Sequence, residues 1–453
     1  MSPPQEVNAL YQAHLGTLTT RLAASLDATG FDALVVHSGF QRMAFLDDQA
    51  YPFRINPHFN WWLPLFDTPR CLLQVEPGRR PILAFHSAAD YWHMPARLPD
   101  AAWTSEFDIL RVDSIATARA ALPKPTARTA FIGEPFEGLD DFGYTAINPE
   151  ALLRRLHEHR VRKTPYELHC LRTASLRGAR GHASAALAFE RGESEFGIHQ
   201  AFLSGCQLRE QELPYQAIVA LNENAATLHY QALQRTRPAT THTLLIDAGA
   251  HYQGYPSDIT RTYSAKTGDF AALVDGLDRV QQTLCNRVKP GADWRDLHLG
   301  AHRLVAGLLQ EASIINLGPD AALDSGLTSV FLPHGVGHLL GLQVHDVAGF
   351  RPTPDHSPIP PPVGHESLRL TRVLEPDFVV TMEPGLYFIG LLLERARSGP
   401  LAANINWALV DDLRPYGGIR IEDNLAVTAK TPENLTRAAF AHIDRTKTAE
   451  QTS

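Results

Sequence analysis

The sequence predicts a chain in two parts: an α/β domain over residues 1–160 and an α+β domain over residues 161–445. Three observations carry that prediction. Helical and strand-like patterns alternate through the first third. A charged run, Leu156-His-Glu-His-Arg-Val-Arg-Lys163, then gives way to Thr164-Pro-Tyr-Glu167, the pattern of a capping box with proline at the first helical position. Beyond residue 210 short strand-like runs and Gly-rich turns dominate, and Asp, Glu and His recur in them.

In order, 8–28 has helical periodicity and 33–37 reads as a short buried strand. Residues 71–75 and 81–85 read as paired strands around the turn Glu76-Pro-Gly-Arg79, and 129–133 as a further strand. The capping box starts a long helix to about Glu190, a second helix covers about 195–210, and a helical stretch covers about 268–311. Residues 349–366, rich in Pro and His, read as an irregular loop. The segment Phe59-Asn-Trp-Trp-Leu-Pro-Leu-Phe66 is apolar for a loop-flanked region, and reads either as core or as an interface between two copies of the chain.

Composition narrows the function. Of 453 residues, 41 are Lys or Arg and 49 are Asp or Glu, a net charge of −8. That argues against a nucleic-acid binder and against a protein of anionic membrane surfaces. No apolar run reaches the ~18 residues of a spanning helix, and the N-terminus lacks a signal-peptide pattern, so the expected compartment is cytoplasmic. Cys71, Cys170, Cys206 and Cys285 are scattered and fit neither a disulfide framework nor a thiolate zinc site.

Five short motifs carry chemistry. Leu244-Leu-Ile-Asp247 and Asp258-Ile-Thr-Arg-Thr262 flank a Gly-containing turn, and an antiparallel hairpin can bring both Asp residues to one face. Read alone, they could equally cap turns. His334-Gly-Val-Gly-His338-Leu-Leu-Gly-Leu-Gln-Val-His345-Asp346 has three His residues spaced by glycines, as in a loop wrapped round a site, or simply an exposed Gly-rich turn. Val379-Val-Thr-Met-Glu383 ends an apolar strand on a carboxylate. In Gly418-Ile-Arg420-Ile-Glu422, period two puts Ile419 and Ile421 on one side, and Arg420 and Glu422 on the other as site residues or as a surface ion pair. His229 sits beside the strand-like 217–221, where a lone His is more often structural. Together, two Asp, two Glu and one His form an oxygen-rich set suited to Mn²⁺ or Mg²⁺, with Co²⁺, Zn²⁺ and Fe²⁺ also accommodated. Four carboxylates match two divalent ions, the arrangement of metal-assisted hydrolysis.

The order Asp-x10-Asp, His-Gly-x-Gly-His, Glu383-Pro-Gly and Gly-Ile-Arg-Ile-Glu-Asp resembles the pita-bread metallopeptidases. Phe45-Leu-Asp-Asp48, Tyr51-Pro-Phe-Arg-Ile-Asn-Pro57, Tyr91-Trp-His93, Lys163-Thr-Pro-Tyr-Glu-Leu168, Leu213-Pro-Tyr215 and Ala220-Leu-Asn222 resemble their bacterial Xaa-Pro dipeptidase branch. The resemblance covers about residues 10–440 and implies a creatinase-like N-terminal domain before a pita-bread catalytic domain. It implies hydrolysis of Xaa-Pro dipeptides with two divalent ions, Mn²⁺ first, and a homodimer in which one subunit's N-terminal domain lies near the other's active site. Asp247, Asp258, His338, Glu383 and Glu422 would be the metal ligands, with Asp258 and Glu422 bridging. Glu383 would also shuttle the proton. His345 and His229 would contact substrate at the reacting carbonyl, with Arg369 on the dipeptide carboxylate and Arg372 the alternative. Arg420, backing the ligands, completes the substrate-side set with Tyr215 and His334. Pro256-Ser257 departs from the family pattern, which bears on pocket shape. Organophosphorus triester hydrolysis would be a side activity. The competing readings are an aminopeptidase P acting on longer peptides and a non-catalytic peptide-binding module. The latter would have lost ligands, and all five are present.

Overall fold

A computed structural model describes residues 3–451 of the chain. It divides into two compact units, one comprising residues up to 160 with 164–167, the other 161–163 with the remainder.

In the first unit, the helix Pro3–Asp27 precedes a six-stranded mixed sheet of β1 (Ala33–His37), β2 (Leu72–Val75), β3 (Ile82–His86), β4 (Asp108–Val112), β5 (Thr129–Ile132) and β6 (Ala146–Ile147), ordered β4-β3-β2-β1-β5-β6. The pair expected around Glu76-Pro-Gly-Arg79 is β2–β3, antiparallel. The segment 59–66 turns out to be core. Asn56 accepts from His58 N (2.9 Å) to start the helix Pro57–Trp62, and Phe59, Trp61, Trp62 and Leu63 are buried, Phe66 being exposed. Those rings fill the unit's own interior and offer no interface. The unit's most exposed apolar side chains are elsewhere, at Phe45, Leu46, Tyr91, Trp92 and Met94.

The second unit is α+β. The helix Pro165–Glu190 begins at the expected capping box: Thr164 N donates to Glu167 Oε2 (2.9 Å) and Glu167 N to Thr164 Oγ1 (3.4 Å). The next helix, Glu195–Cys206, is shorter than expected, because Gln207 takes a left-handed cap at φ 56°. The stretch 268–311 is two helices, Asp269–Cys285 and Trp294–Glu311, interrupted where Pro290 and left-handed Gly291 punctuate the chain.

An antiparallel sheet joins β7 (Ile218–Leu221), β8 (Thr243–Asp247) and β11 (Thr260–Ser264). Between β8 and β11 the chain makes a small ribbon, β9 (His251–Tyr252) with β10 (Tyr255–Pro256). Later come β12 (Val379–Met382), β13 (Gly385–Tyr387), β14 (Gly418–Arg420), β15 (Asp423–Ala426) and β16 (Glu433–Asn434), paired as a sheet β12-β15-β16 and a ribbon β13-β14. Leu277, Trp294, Ala301, Val380, Met382, Ile419 and Ile421 share the main core between these strands and the two helices. All four cysteines are buried free thiols. Among the described residues no helix is long and apolar enough to cross a membrane.

Candidate metal centre

Of the five expected ligands, Asp247 ends a strand, Glu383 directly follows β12, Glu422 sits between β14 and β15, and Asp258 and His338 lie in loops. Asp247 ends β8, and its partner across the ladder is Thr260, the first residue of β11. Asp258 lies two residues before that strand, in the bend rather than on the ladder. Its backbone is gripped on both sides by the Asn424 side chain: Asp258 N donates to Asn424 Oδ1 (3.0 Å), and Asn424 Nδ2 donates to Asp258 O. Thr260 also bridges to Glu422, so it is the shared neighbour of both carboxylates. Period two holds in 418–422 although the strand breaks after Arg420. Ile419 and Ile421 enter the core, while Arg420 and Glu422 are buried at the site, which disposes of the surface-pair reading.

His338 is fixed by the strand bearing Glu383. Thr381 N donates to His338 O (3.0 Å), His338 N to Thr381 Oγ1 (3.1 Å), and Glu383 N to Val336 O (3.0 Å). Gly337, at φ 150°, permits this approach; a Cβ there would run into the Thr381 carbonyl. His338 Nδ1–H donates to Leu339 O (3.0 Å), which turns Nε2 toward Asp258 Oδ2 at 3.4 Å and Glu383 Oε1 at 3.6 Å. Asp258, His338 and Glu422 each offer a ligand atom within 4.8 Å of the others, and all three are buried.

Four carboxylates gather here, Asp258 and Glu422 buried and Asp247 and Glu383 partly so, and the cation bonded to the set is Arg420. It donates to Asp247 Oδ2 (2.7 Å), to Tyr387 Oη (2.9 Å) and to Thr260 Oγ1 (3.3 Å). Burial pushes the Glu422 carboxyl well above its ordinary range, helped by Asp258, Glu383 and Asp247. Burial likewise lifts Glu383 to about 7 and raises Asp247 against the pull of Arg420. Burial also opposes the charge on Asp258, yet the hydrogen bond and charge of His338 outweigh it and hold that carboxyl low. His338, penalised by burial, is raised by the same two carboxylates, Asp258 and Glu383. Such a concentration of negative charge fits divalent cations: without them, protons must neutralise it.

Several residues expected on the substrate side are committed within the protein. Tyr215 Oη donates to Asp247 Oδ1 (3.0 Å). His334 Nδ1–H donates to Gly335 O (2.8 Å) and its Nε2 accepts from Tyr387 Oη (2.9 Å). Arg420 is consumed as described. Tyr215 and Arg420 thus brace Asp247, and His334 braces Tyr387. His345 is better disposed: its ring lies 4.4 Å from that of His338, and burial with the neighbouring charges of His338 and Arg369 lowers it to about 4. His229, exposed, lies near enough to help depress both His345 and His334. Arg369 is exposed beside His345. Arg372, the alternative reader of a carboxylate, is fully buried; it donates to Pro352 O (3.1 Å) and lies 5.0 Å over the Phe378 ring. That guanidinium is structural. Ser257, expected to shape the pocket, is buried in the bend, where its Oγ accepts from Ala250 N (3.1 Å).

Sequence reasoning passed over Thr260, Asn424 and Thr381, which bond the expected ligands, and Tyr387, which bonds Arg420 and His334. Thr260 Oγ1 donates to Glu422 Oε2 (2.8 Å) across 162 positions. The available signal was proximity: each lies within four residues of a ligand in sequence.

The model for metallopeptidase family M24 matches residues 169–429, and the model for the Xaa-Pro dipeptidase N-terminal domain matches residues 9–157. The chain is 46% identical over 438 residues to a Xaa-Pro dipeptidase of Stenotrophomonas maltophilia (strain K279a), covering 96% of this chain and 98% of that one. It is 45% identical over 440 residues to the Xaa-Pro dipeptidase of Xanthomonas euvesicatoria pv. vesicatoria (strain 85-10), covering 97% and 99%. Among solved structures, proline aminopeptidase P II from Yersinia pestis superposes with a TM-score of 0.71 at 22% identity, covering 94% of this chain and 96% of that one. At that identity the likeness speaks for the fold alone.

Proposed function

The chain belongs to metallopeptidase family M24, and from that premise we propose that it is a cytoplasmic Xaa-Pro dipeptidase working with two divalent ions, Mn²⁺ in preference. The observation that carries the reading is the grouping of Asp258, Glu383 and Glu422 around Nε2 of His338, with Asp247 tied to the same set through Arg420. The dipeptidase relatives at 45–46% identity over nearly the whole chain support the substrate class, and favour it over aminopeptidase P, represented by structures at 21–22%. Buried free thiols support a reducing compartment.

Asp247, Asp258, His338, Glu383 and Glu422 would hold the ions, Asp258 and Glu422 between them. Bound divalent ions supply Lewis-acid chemistry, acidifying a water and polarising the scissile carbonyl. The residues do the rest. Glu383 takes a proton from the attacking water and returns it to the proline nitrogen as the amide breaks. His345 and His229 hydrogen-bond the substrate at the reacting carbonyl. Arg369, outside the buried cluster and beside His345, pairs with the carboxylate that follows proline, which a longer peptide lacks. Tyr215, Arg420 and His334 keep the ligand cage rigid. Organophosphorus triesters fit the same nucleophile. A homodimer belongs to this reading, supported by the exposed aromatic residues Tyr91 and Trp92 of the first unit; light scattering at twice the monomer mass checks it.

The test is a panel of Xaa-Pro, Xaa-Pro-Xaa and Xaa-Pro amide substrates with metal-stripped enzyme re-supplied with Mn²⁺, Co²⁺ or Zn²⁺. Dipeptide hydrolysis restored best by Mn²⁺ is expected. Full activity without metal, or preference for the longer peptides, would overturn the proposal.

A further inference from the structure

Outside the carboxylate set, close enough to His334 to feel its charge, three imidazoles meet. His298 and His302 lie four residues apart on the helix Trp294–Glu311, hence on one face. His365 reaches them from the irregular segment, just after left-handed Gly364. The three ring centroids are 4.5–4.7 Å apart with planes near perpendicular, so edges meet faces. His298 and His302 are each 1% exposed, and His365 is half-buried.

The hydrogen bonding leaves nitrogen atoms over. His298 Nε2 and His365 Nδ1 share one proton at 2.9 Å. His302 Nδ1 meets Thr328 Oγ1 at 2.8 Å, which fixes that ring. His302 Nε2 and His298 Nδ1, both buried, have no partner. A buried imidazole nitrogen without a partner costs stability unless something answers it. Each of the three residues can offer a nitrogen within 4.8 Å of the other two.

We propose that His298, His302 and His365 form a cation site, separate from the carboxylate cluster, for a borderline divalent ion of the Zn²⁺, Cu²⁺ or Ni²⁺ class. Three neutral nitrogen ligands and no carboxylate favour those ions over Mn²⁺ or Mg²⁺, the reverse of the oxygen-rich set. Burial holds His298 near 2 and His302 near 3, so both rings are neutral and their lone pairs free at physiological pH. Binding needs no proton loss. If His298 Nε2 carries the shared proton, a tautomer shift moves it to the unpartnered Nδ1, freeing Nε2 and His365 Nδ1 together. Thr328 accepts from His302 Nδ1–H and turns Nε2 inward, the usual way an outer partner orients a metal-bound histidine. The half-buried side at His365 leaves a fourth position for water. A bound ion would tie the irregular segment, four residues before Arg369, to the helix.

The experiment uses the full-length enzyme loaded with Mn²⁺, then equilibrated with Zn²⁺ or Co²⁺, counting total metal per chain by mass spectrometry. His365→Ala, at a half-buried position, is compared with His298→Asn, and circular dichroism checks folding of each. Wild type is expected to hold about one molar equivalent more than either variant. Its added Co²⁺ should show intense visible bands of a tetrahedral ion that both variants lack. Equal totals in wild type and folded His365→Ala overturn the site, as does a Co²⁺ spectrum unchanged by the substitution. Because the result is a difference between wild type and variant, it is independent of how many ions the carboxylate cluster takes.

Discussion

Lys163→Met removes the cation from a buried pair. Lys163 Nζ lies 3.1 Å from Asp346 Oδ2, and the two side chains are 0% and 1% exposed. Asp346 closes the loop that follows His338: its N donates to Leu339 O (2.9 Å), and Gly341 lacks a side chain where a Cβ would run into the carboxylate. His345 is the neighbouring residue, stacked edge-on against His338. Breaking a buried pair on one side costs about 3–5 kcal/mol, because a charge stays in low dielectric without its counterion. For a unit of this size that is a fall in Tm of roughly 6–20 °C. Asp346→Leu alone should cost a similar amount. Lys163→Met with Asp346→Leu removes both charges and should regain most of the loss, giving non-additivity of about 2 kcal/mol or more. Its kcat/KM should still fall, since the ion pair no longer fixes the loop beside His345. Scanning calorimetry and dipeptide kinetics on the four proteins make the cycle. A single-mutant cost below about 1 kcal/mol, the worth of an exposed pair, or simple additivity in the double variant, would refute the reasoning.

Arg369→Ala should lower kcat/KM for Xaa-Pro by about 10- to 100-fold, a loss of about 1.5–3 kcal/mol from one charge-assisted contact, while neutral triesters and Xaa-Pro amides suffer far less; equal losses across these substrates would make Arg369 structural. Glu422→Gln should cost orders of magnitude in rate and weaken metal retention, yet leave the metal-free protein at least as stable, because the charge removed is one that burial already disfavours; retained metal with normal turnover rules out a ligand role. The metal-free protein should lose stability as pH rises. Glu383, raised by burial to about 7, binds its proton more tightly folded than unfolded, so its contribution is complete below the ordinary carboxyl range and gone above 7. Raised Asp247, Glu422 and His338 act in the same direction, and lowered Asp258 opposes them only at acid pH. The Tm gained on adding Mn²⁺ should therefore grow from pH 5 to pH 8, and a gain independent of pH would contradict the cluster's proposed charge state.

The parts of the fold legible in the sequence were those with local causes. Thr164 and Glu167 announced their helix through a three-residue reciprocal bond. Period two in 418–422 assigned Ile419 and Ile421 to the core and Arg420 and Glu422 to the other face. What stayed hidden depends on distant partners. Tyr387 gains meaning from Arg420, 33 positions on, and Asn424 from Asp258, 166 positions back. The Phe59 segment could not be assigned between core and interface from sequence, because partners far from it in the chain, such as Tyr11 and His14, meet it. Nothing local singles out His298 and His302 within their helix, since His365 meets them from a segment with no periodicity of its own.

Arg420 explains why the cluster can fold before any ion arrives. Its guanidinium meets Asp247 on β8, Tyr387 on β13 and Thr260 on β11, so a single side chain ties three strands to the residue two before Glu422. One positive charge against four carboxylates stabilises the arrangement without neutralising it. The remaining charge must be met by protons or by cations, and the raised Glu383 and Glu422 indicate that protons do so in the absence of metal. Loading divalent ions then expels those protons, and affinity rises with pH. Lys at this position would supply the charge but not the planar fork that reaches a carboxylate, a phenol and a hydroxyl at once. The cage geometry would loosen even with the net charge unchanged, so Arg420→Lys tests shape where Glu422→Gln tests charge.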